Sequence, residues 1–227
     1  MKNVFVSGAA GNLGKATVLK FIEAGYRVWA TVEPGTNLPY QHAAITVLEV
    51  DHKNEEVSKL AIDKIFLSNA IDAAVLLVGG FAVGGIEDTA GEMLKRMFSL
   101  NFDTAYFAAR PLFINMRKQR GGGRIVFVGA RPALVPDAGK NALAYALSKS
   151  LLFRLAEFMN AEADGKKVIS HVIVPSIMDT PANRVAMPTA DFSAWVKPEA
   201  VAEALLFLCT ESGNAVRDTV LKVYGDS

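Results

Sequence analysis

The stretch Val4-Phe5-Val6-Ser7-Gly8-Ala9-Ala10-Gly11-Asn12-Leu13-Gly14 decides the fold. Val4–Val6 reads as a short strand, and the glycines at 8, 11 and 14 read as the turn that carries the chain into a helix. Such a turn passes through unusual backbone angles, lets a pyrophosphate approach backbone N–H groups, and packs the new helix tightly on the sheet. Glycine meets each need because it lacks a Cβ. The loop directly follows a first strand and precedes a capable second one, which favours a dinucleotide site over a plain tight turn. Gly8, Gly11, Asn12, Leu13 and Gly14 are its expected cofactor contacts.

Outward from this loop, short apolar runs alternate with longer segments of helical period. Val4–Val6, Arg27–Thr31, Ile45–Val50, Ala73–Val78, Arg124–Val128, Val168–Val174 and Thr219–Val223 read as strands. Several are apolar almost throughout, as expected of strands covered on both faces. Leu13–Ala24, Glu55–Leu67, Glu92–Met116, Ala142–Ala161 and Pro198–Leu208 read as helices. Thr89 and Glu92 form a capping-box signature, Pro198 suits a first helical turn, and Pro111 predicts a kink in the longest helix. Seven strands interleaved with helices predict an α/β fold, a doubly wound parallel sheet with helices on both faces. One domain is expected over 1–227, with a substrate lid at about 178–196, where neither period is clear.

Composition narrows the function classes. Of 227 residues, 51% are hydrophobic and 21% charged, which suits an ordinary globular core. A formal net charge of +1 gives no electrostatic case for nucleic acid or an anionic membrane. The single cysteine, Cys209, lies in an apolar run and reads as a buried structural thiol in a reducing compartment. A first strand starting at about residue 2 leaves no room for a leader, and no apolar run is long enough to span a membrane, so a cytoplasmic protein is expected. No metal site is expected.

Tyr145 and Lys149, spaced as Tyr-x-x-x-Lys within a helix, supply the candidate chemistry. Four residues apart, they share a helix face. A free phenol has a pKa near 10 and donates its proton slowly at neutral pH. A nearby ammonium favours the phenolate and is expected to move that pKa towards working pH. Lys149 is also a candidate donor to ribose hydroxyls. Glu33 follows the second strand, where a carboxylate can accept from the adenosine ribose, and Asp51 follows the third, near the adenine. Glu33 would repel a 2′-phosphate, so NAD(H) is favoured and NADP(H) is possible, with Arg27 or Lys53 as residues able to offset that repulsion.

These residues together resemble a short-chain dehydrogenase/reductase of the Rossmann type, along nearly the whole chain. The resemblance implies that Asn101, in Leu100-Asn101-Phe102, supports the catalytic pair from the kinked helix. It also implies that Pro175 and Thr180 bind the nicotinamide end, and that Gly79 and Gly80, standing where most members carry Asn-Ala-Gly, border the cofactor. Two departures are visible. The glycine spacing is not the commoner one, and Ala130 stands where the family's catalytic serine ends a strand. Both are shared with the quinoid dihydropteridine reductases. The lid resembles that branch too, in Asp179-Thr180-Pro181-Ala182-Asn183-Arg184, Met187-Pro188 and Ala190-Asp191-Phe192-Ser193-Ala194-Trp195. Asn101 is a feature that the animal enzymes of the branch usually lack.

The resemblance implies hydride transfer to a small conjugated heterocycle such as quinonoid dihydropteridine, with Asn183, Arg184, Met187 and Trp195 at the substrate. A general carbonyl or quinone reductase is the alternative enzyme, and a non-catalytic cofactor-sensing protein the alternative class. Family members pair the helices corresponding to Glu92–Met116 and Ala142–Ala161 across a two-fold axis, so a homodimer or homotetramer is expected.

Overall fold

All seven apolar runs form strands in the computed structural model, which describes residues 1–163 and 167–225. They are β1 (Asn3–Ser7), β2 (Arg27–Val32), β3 (Ile45–Glu49), β4 (Ala73–Leu76), β5 (Gly123–Val128), β6 (Val168–Pro175) and β7 (Val220–Val223). Every pairing is parallel, and the sheet order is β3-β2-β1-β4-β5-β6-β7. The interior strands β1, β4 and β5 are almost wholly buried, whereas the edge strands β3 and β7 are partly exposed. This is why the interior runs lack clean alternation: both their faces are covered.

The helices are α1 (Asn12–Glu23), α2 (Glu55–Phe66), α3 (Gly91–Phe98), α4 (Thr104–Met116), α5 (Pro136–Gly139), α6 (Leu143–Ala163), α7 (Pro181–Ala186) and α8 (Pro198–Cys209). Successive β1 side chains point to opposite faces. Phe5 enters a core with Ile62, Leu112, Phe127, Leu152 and Ala156, contributed by α2, α4, β5 and α6. Val4 and Val6 enter a second core with Val18, Phe21, Val201 and Leu205, contributed by α1 and α8. The chain winds outward from β1 to β3 on one side, then returns to β4 and winds the other way. The turn-round lies between β1 and β4, so a crevice opens beyond their C-terminal ends.

Three local expectations are corrected. The segment Glu92–Met116 is not one helix: a π-helical turn at Ser99–Asp103 separates α3 from α4. That departure from α geometry falls well before Pro111, which sits inside a continuous α4. Thr89 does not cap a helix. Its hydroxyl donates to the Gly85 carbonyl at 2.7 Å, α3 starts after Ala90 without a side-chain cap, and Glu92 instead pairs with Lys95 at 3.0 Å. β4 stops at Leu76, short of the expected Val78, because the Leu77 N–H turns to the Ser7 hydroxyl at 3.0 Å. The remaining boundaries lie within a residue or two of those expected.

Candidate active site

β1 delivers the chain to the crevice, and two close approaches shape the loop that follows. Gly8 has φ +68°, in the left-handed region, and a Cβ at Gly14 would lie 2.2 Å from the Gly8 carbonyl oxygen. Helix α1 therefore seats on the loop only with glycine at 14. Gly11 differs: its notional Cβ meets nothing closer than 3.4 Å, and the residue is exposed and lines the cleft. The Ala9 N–H donates to the Thr31 carbonyl and the Tyr40 hydroxyl to the Ala9 carbonyl, both at 3.1 Å, which pins the loop to β2 and to the segment that follows it. Helix α1 begins at Asn12 with no side-chain cap and no acidic residue in its first turn. Its first N–H groups carry the positive end of the helix dipole, so the loop fits a pyrophosphate.

At the far end of the cleft, Glu33 and Asp51 follow β2 and β3. Glu33 is exposed, and its carboxylate accepts from Lys53 Nζ at 3.1 Å. Asp51 accepts from the Lys53 backbone N–H at 3.0 Å. Arg27 begins β2, at the opposite end of the strand from Glu33, and its guanidinium lies over Trp29. Of the two cations expected to offset Glu33, only Lys53 is in position.

His52, between these acids and bases, is buried and was not foreseen. Its Nε2 hydrogen-bonds Thr31 Oγ1 and its Nδ1 hydrogen-bonds Ser58 Oγ, each at 2.8 Å. The imidazole thus ties β2, the β3–α2 turn and α2 together beneath the cleft floor. Burial lowers its pKa to about 4. Between that value and the 6.5 of the unfolded chain, the unfolded state binds the extra proton. Stability should therefore fall as pH drops from about 6.5 towards 4, by about 2–4 kcal/mol from this group. His52→Gln is expected to lose stability at neutral pH and to flatten that acid dependence, measured as urea midpoints at pH 7 and pH 5.

The chemical end is built by α6 and the π turn. Lys149 is buried, and its Nζ donates to the Val128 carbonyl at 2.8 Å. Asn101 is fully buried in the π turn. It accepts from the Gly80 N–H at 2.8 Å and donates to Ser148 Oγ at 3.0 Å, while Ser148 donates to the Tyr145 carbonyl at 2.8 Å. A continuous bond path thus joins the loop after β4 to the helix that carries the candidate pair. A Cβ at Gly79 would sit 2.7 Å from Asn101 Oδ1 and 3.1 Å from Lys149 Nζ; one at Gly80 would meet Leu100 at 2.5 Å. Close packing against these side chains accounts for the Gly-Gly pair. Ser148 was the missed member, and its i,i+3 spacing from Tyr145 was the available signal.

Tyr145 is partly buried, in an apolar cluster with Met97, Ala144 and the cleft-lining Leu100. No described residue hydrogen-bonds its hydroxyl. Burial pushes the phenol up to about 12, and burial also lowers Lys149 to about 8. This corrects the expectation of a phenol shifted towards neutrality. Desolvation penalises the phenolate, and it penalises the neighbouring ammonium as well. The phenol is held protonated, as a donor. Ala130 is buried two residues beyond the end of β5 and offers no hydroxyl. Phe81, 63% exposed, lies edge-on to Tyr145 with ring centroids 5.0 Å apart.

β6 ends at Pro175, and Thr180, also buried, caps α7 by accepting from the Asn183 N–H at 3.3 Å. Asn183 also donates to the Met178 carbonyl, and Arg184 makes a two-point contact with Asp179 at 2.6 and 2.8 Å. Met187 is partly buried at the end of α7. Trp195 is only 8% exposed and packs on Phe192 at 4.7 Å, so it anchors the 178–196 segment and presents no open face. Cys209 is buried, as expected, with its thiol pushed up to about 12 by burial. Among the described residues no helix is long and apolar enough to cross a membrane.

A family model described as short chain dehydrogenase matches residues 2–190. The chain is 30% identical to the dihydropteridine reductase of Dictyostelium discoideum, over 94% of this chain and 90% of that one. It is 26% identical to the 2,3-dihydro-2,3-dihydroxybenzoate dehydrogenase of Escherichia coli K12, over 100% of this chain and 96% of that one. The ligand-free aldohexose dehydrogenase of Thermoplasma acidophilum superposes with a TM-score of 0.86 at 23% identity, covering 99% and 93% of the two chains, and so shares the fold. The matched range takes in the glycine loop, the π turn, the Tyr145 helix and α7. This chain belongs to the short-chain dehydrogenase/reductase family of oxidoreductases.

Proposed function

We propose that the chain is an NAD(P)H-dependent reductase that adds a hydride and a proton to a small conjugated heterocycle such as quinonoid dihydropteridine. The observation that carries this reading is a protonated phenol at Tyr145, whose hydroxyl no described residue hydrogen-bonds, in a chain whose position 130 is an alanine without a hydroxyl. Reduction of a simple carbonyl concentrates charge on one oxygen, and loss of one donor to that oxygen typically costs about 3–4 kcal/mol. A conjugated ring spreads the charge, so one phenol suffices. Phe81, exposed beside Tyr145, supplies the flat apolar wall that Trp195, buried, does not.

The glycine loop, Glu33, Asp51, Gly79, Gly80, Pro175 and Thr180 would hold the cofactor, which would supply the hydride. Lys149, held by the Val128 carbonyl, would donate to the ribose and fix the approach of the phenol. Asn101 and Ser148 hold the Tyr145 turn of α6 against the Gly79-Gly80 loop. The residues fit a dinucleotide because Gly11, exposed at the lip of the cleft, carries no Cβ beside the uncapped N-terminus of α1, where a pyrophosphate would come close. Glu33 favours NADH through the ribose diol. The segment 178–196 acts as the substrate lid of a single domain, with Asn183, Arg184 and Met187 on it. Exposed Tyr106 and Ile114 on α4, with Leu147 and Phe158 on α6, support pairing of these helices between two copies.

A general carbonyl or quinone reductase is the second reading, favoured by Asn101, which the animal dihydropteridine reductases usually lack, and by the range of names among the relatives. Steady-state rates with reduced cofactor separate the two. Quinonoid dihydropterin is expected to turn over far faster than simple aldehydes, ketones and quinones. Good turnover of carbonyls without turnover of the pterin rejects the heterocycle and leaves the reductase.

A further inference from the structure

We propose that Lys53 is a second determinant of cofactor selectivity, acting against Glu33 at the adenosine ribose. The inference rests on reading the cleft between β1 and β4 as the dinucleotide site. The charged residues lining that cleft are Glu33, Asp51 and Lys53, and Lys53 is the only lysine or arginine among those described. Its backbone N–H is tied to Asp51, which fixes the turn, while its long stem carries Nζ to Glu33 at 3.1 Å. Both side chains are substantially exposed, at 48% and 68%. Solvent screens such a pair, so the lysine exchanges its partner at little cost.

Two cofactors then meet two arrangements of one rim. With a ribose diol, the Glu33 carboxylate accepts from the hydroxyls and Lys53 stays paired with it. With a 2′-phosphate, the ammonium leaves the carboxylate and pairs with the phosphate, as a mobile point charge does. Without Lys53 the rim would present two carboxylates and no cation, and the phosphate would be excluded. Glu33 alone therefore predicts a strict NADH enzyme, whereas the pair predicts an NADH preference that tolerates NADPH. Position 53, two residues beyond Asp51, carries this role because the β3–α2 turn brings it back across the end of β2.

Binding of two adenosine fragments tests this without turnover. Isothermal titration is run with adenosine 5′-monophosphate and adenosine 2′,5′-bisphosphate on wild type, Glu33→Gln, Lys53→Gln and the double variant, each checked for an unchanged melting temperature. Lys53→Gln is expected to weaken the bisphosphate by about tenfold or more while shifting the monophosphate by less than about threefold, with the loss shrinking at high salt. Glu33→Gln is expected to tighten the bisphosphate by about tenfold, and the double variant to lose that gain. An unchanged fragment ratio in Lys53→Gln, or a Glu33→Gln gain that persists in full without Lys53, overturns the inference while leaving the cofactor site intact. Failure of both fragments to bind any of the four proteins overturns the cofactor reading as well.

Discussion

Replacing Tyr145 with phenylalanine is expected to lower turnover by about 100- to 10,000-fold, the usual worth of a positioned general acid. The change removes one oxygen and leaves the ring, so packing against Met97, Ala144 and Leu100 and the edge-on contact with Phe81 remain. The bond from Ser148 goes to the Tyr145 carbonyl and survives as well. Affinity for NADH should therefore stay within about twofold, and the whole loss should appear in the step after binding. Burial holds the phenol at about 12, so it gives up its proton only as negative charge builds on the acceptor. The measurement is kcat beside the NADH dissociation constant. Equal turnover in the variant would remove Tyr145 from the chemistry.

Gly14→Ala is the second large effect, and Gly11→Ala is its control. At position 14 the new methyl would lie 2.2 Å from the Gly8 carbonyl oxygen and 2.8 Å from the Ala9 backbone. Both neighbours are main chain and cannot rotate away, so α1 must lift off the loop. Overpacking of this kind costs about 1–3 kcal/mol or more, which for a chain of this size lowers Tm by about 3–10 °C. Lifting α1 also tilts its N–H groups away from the pyrophosphate, so cofactor binding falls together with stability. At position 11 the methyl has 3.4 Å of room and an ordinary extended backbone. Gly11→Ala should keep Tm within about 2 °C yet still weaken NADH, because the methyl stands at the lip of the cleft. Thermal melts with NADH titrations check both variants. A Gly14→Ala protein as stable as wild type would mean that the helix–loop packing is not as tight as described.

What was legible in the sequence was whatever a short window encodes. Uninterrupted apolar runs such as Val4–Val6 and Ala73–Leu76 reveal strands buried on both faces, and the glycines at 8, 11 and 14 reveal the turn between β1 and α1. The Tyr145–Lys149 spacing places two polar groups on one face of α6. What was not legible depends on residues that meet from far apart. The π turn at Ser99–Asp103 arises where Asn101 must reach both Gly80 and Ser148, and no local pattern records that demand. The Thr89 capping signature failed because carbonyls at Gly84 and Gly85 competed successfully for its hydroxyl. No local pattern marks His52 as buried, because Thr31 and Ser58 close around it from β2 and α2. The direction of the Tyr145 shift is hidden for a related reason: spacing shows the neighbouring charge but not the burial that outweighs it.

The central claim is that this chain moves a hydride from a reduced nicotinamide to an organic acceptor while Tyr145 supplies the proton. Single-turnover oxidation of NADH by quinonoid dihydropterin, with hydrogen or deuterium at the transferable C4 position and read from the nicotinamide absorbance, tests it most directly. Deuterium should slow the wild-type step, and Tyr145→Phe, loaded with the same cofactor, should react slower than wild type by the factor seen in turnover. Equal rates for the two isotopes in the wild-type protein, or a variant that reacts at the wild-type rate, would contradict it.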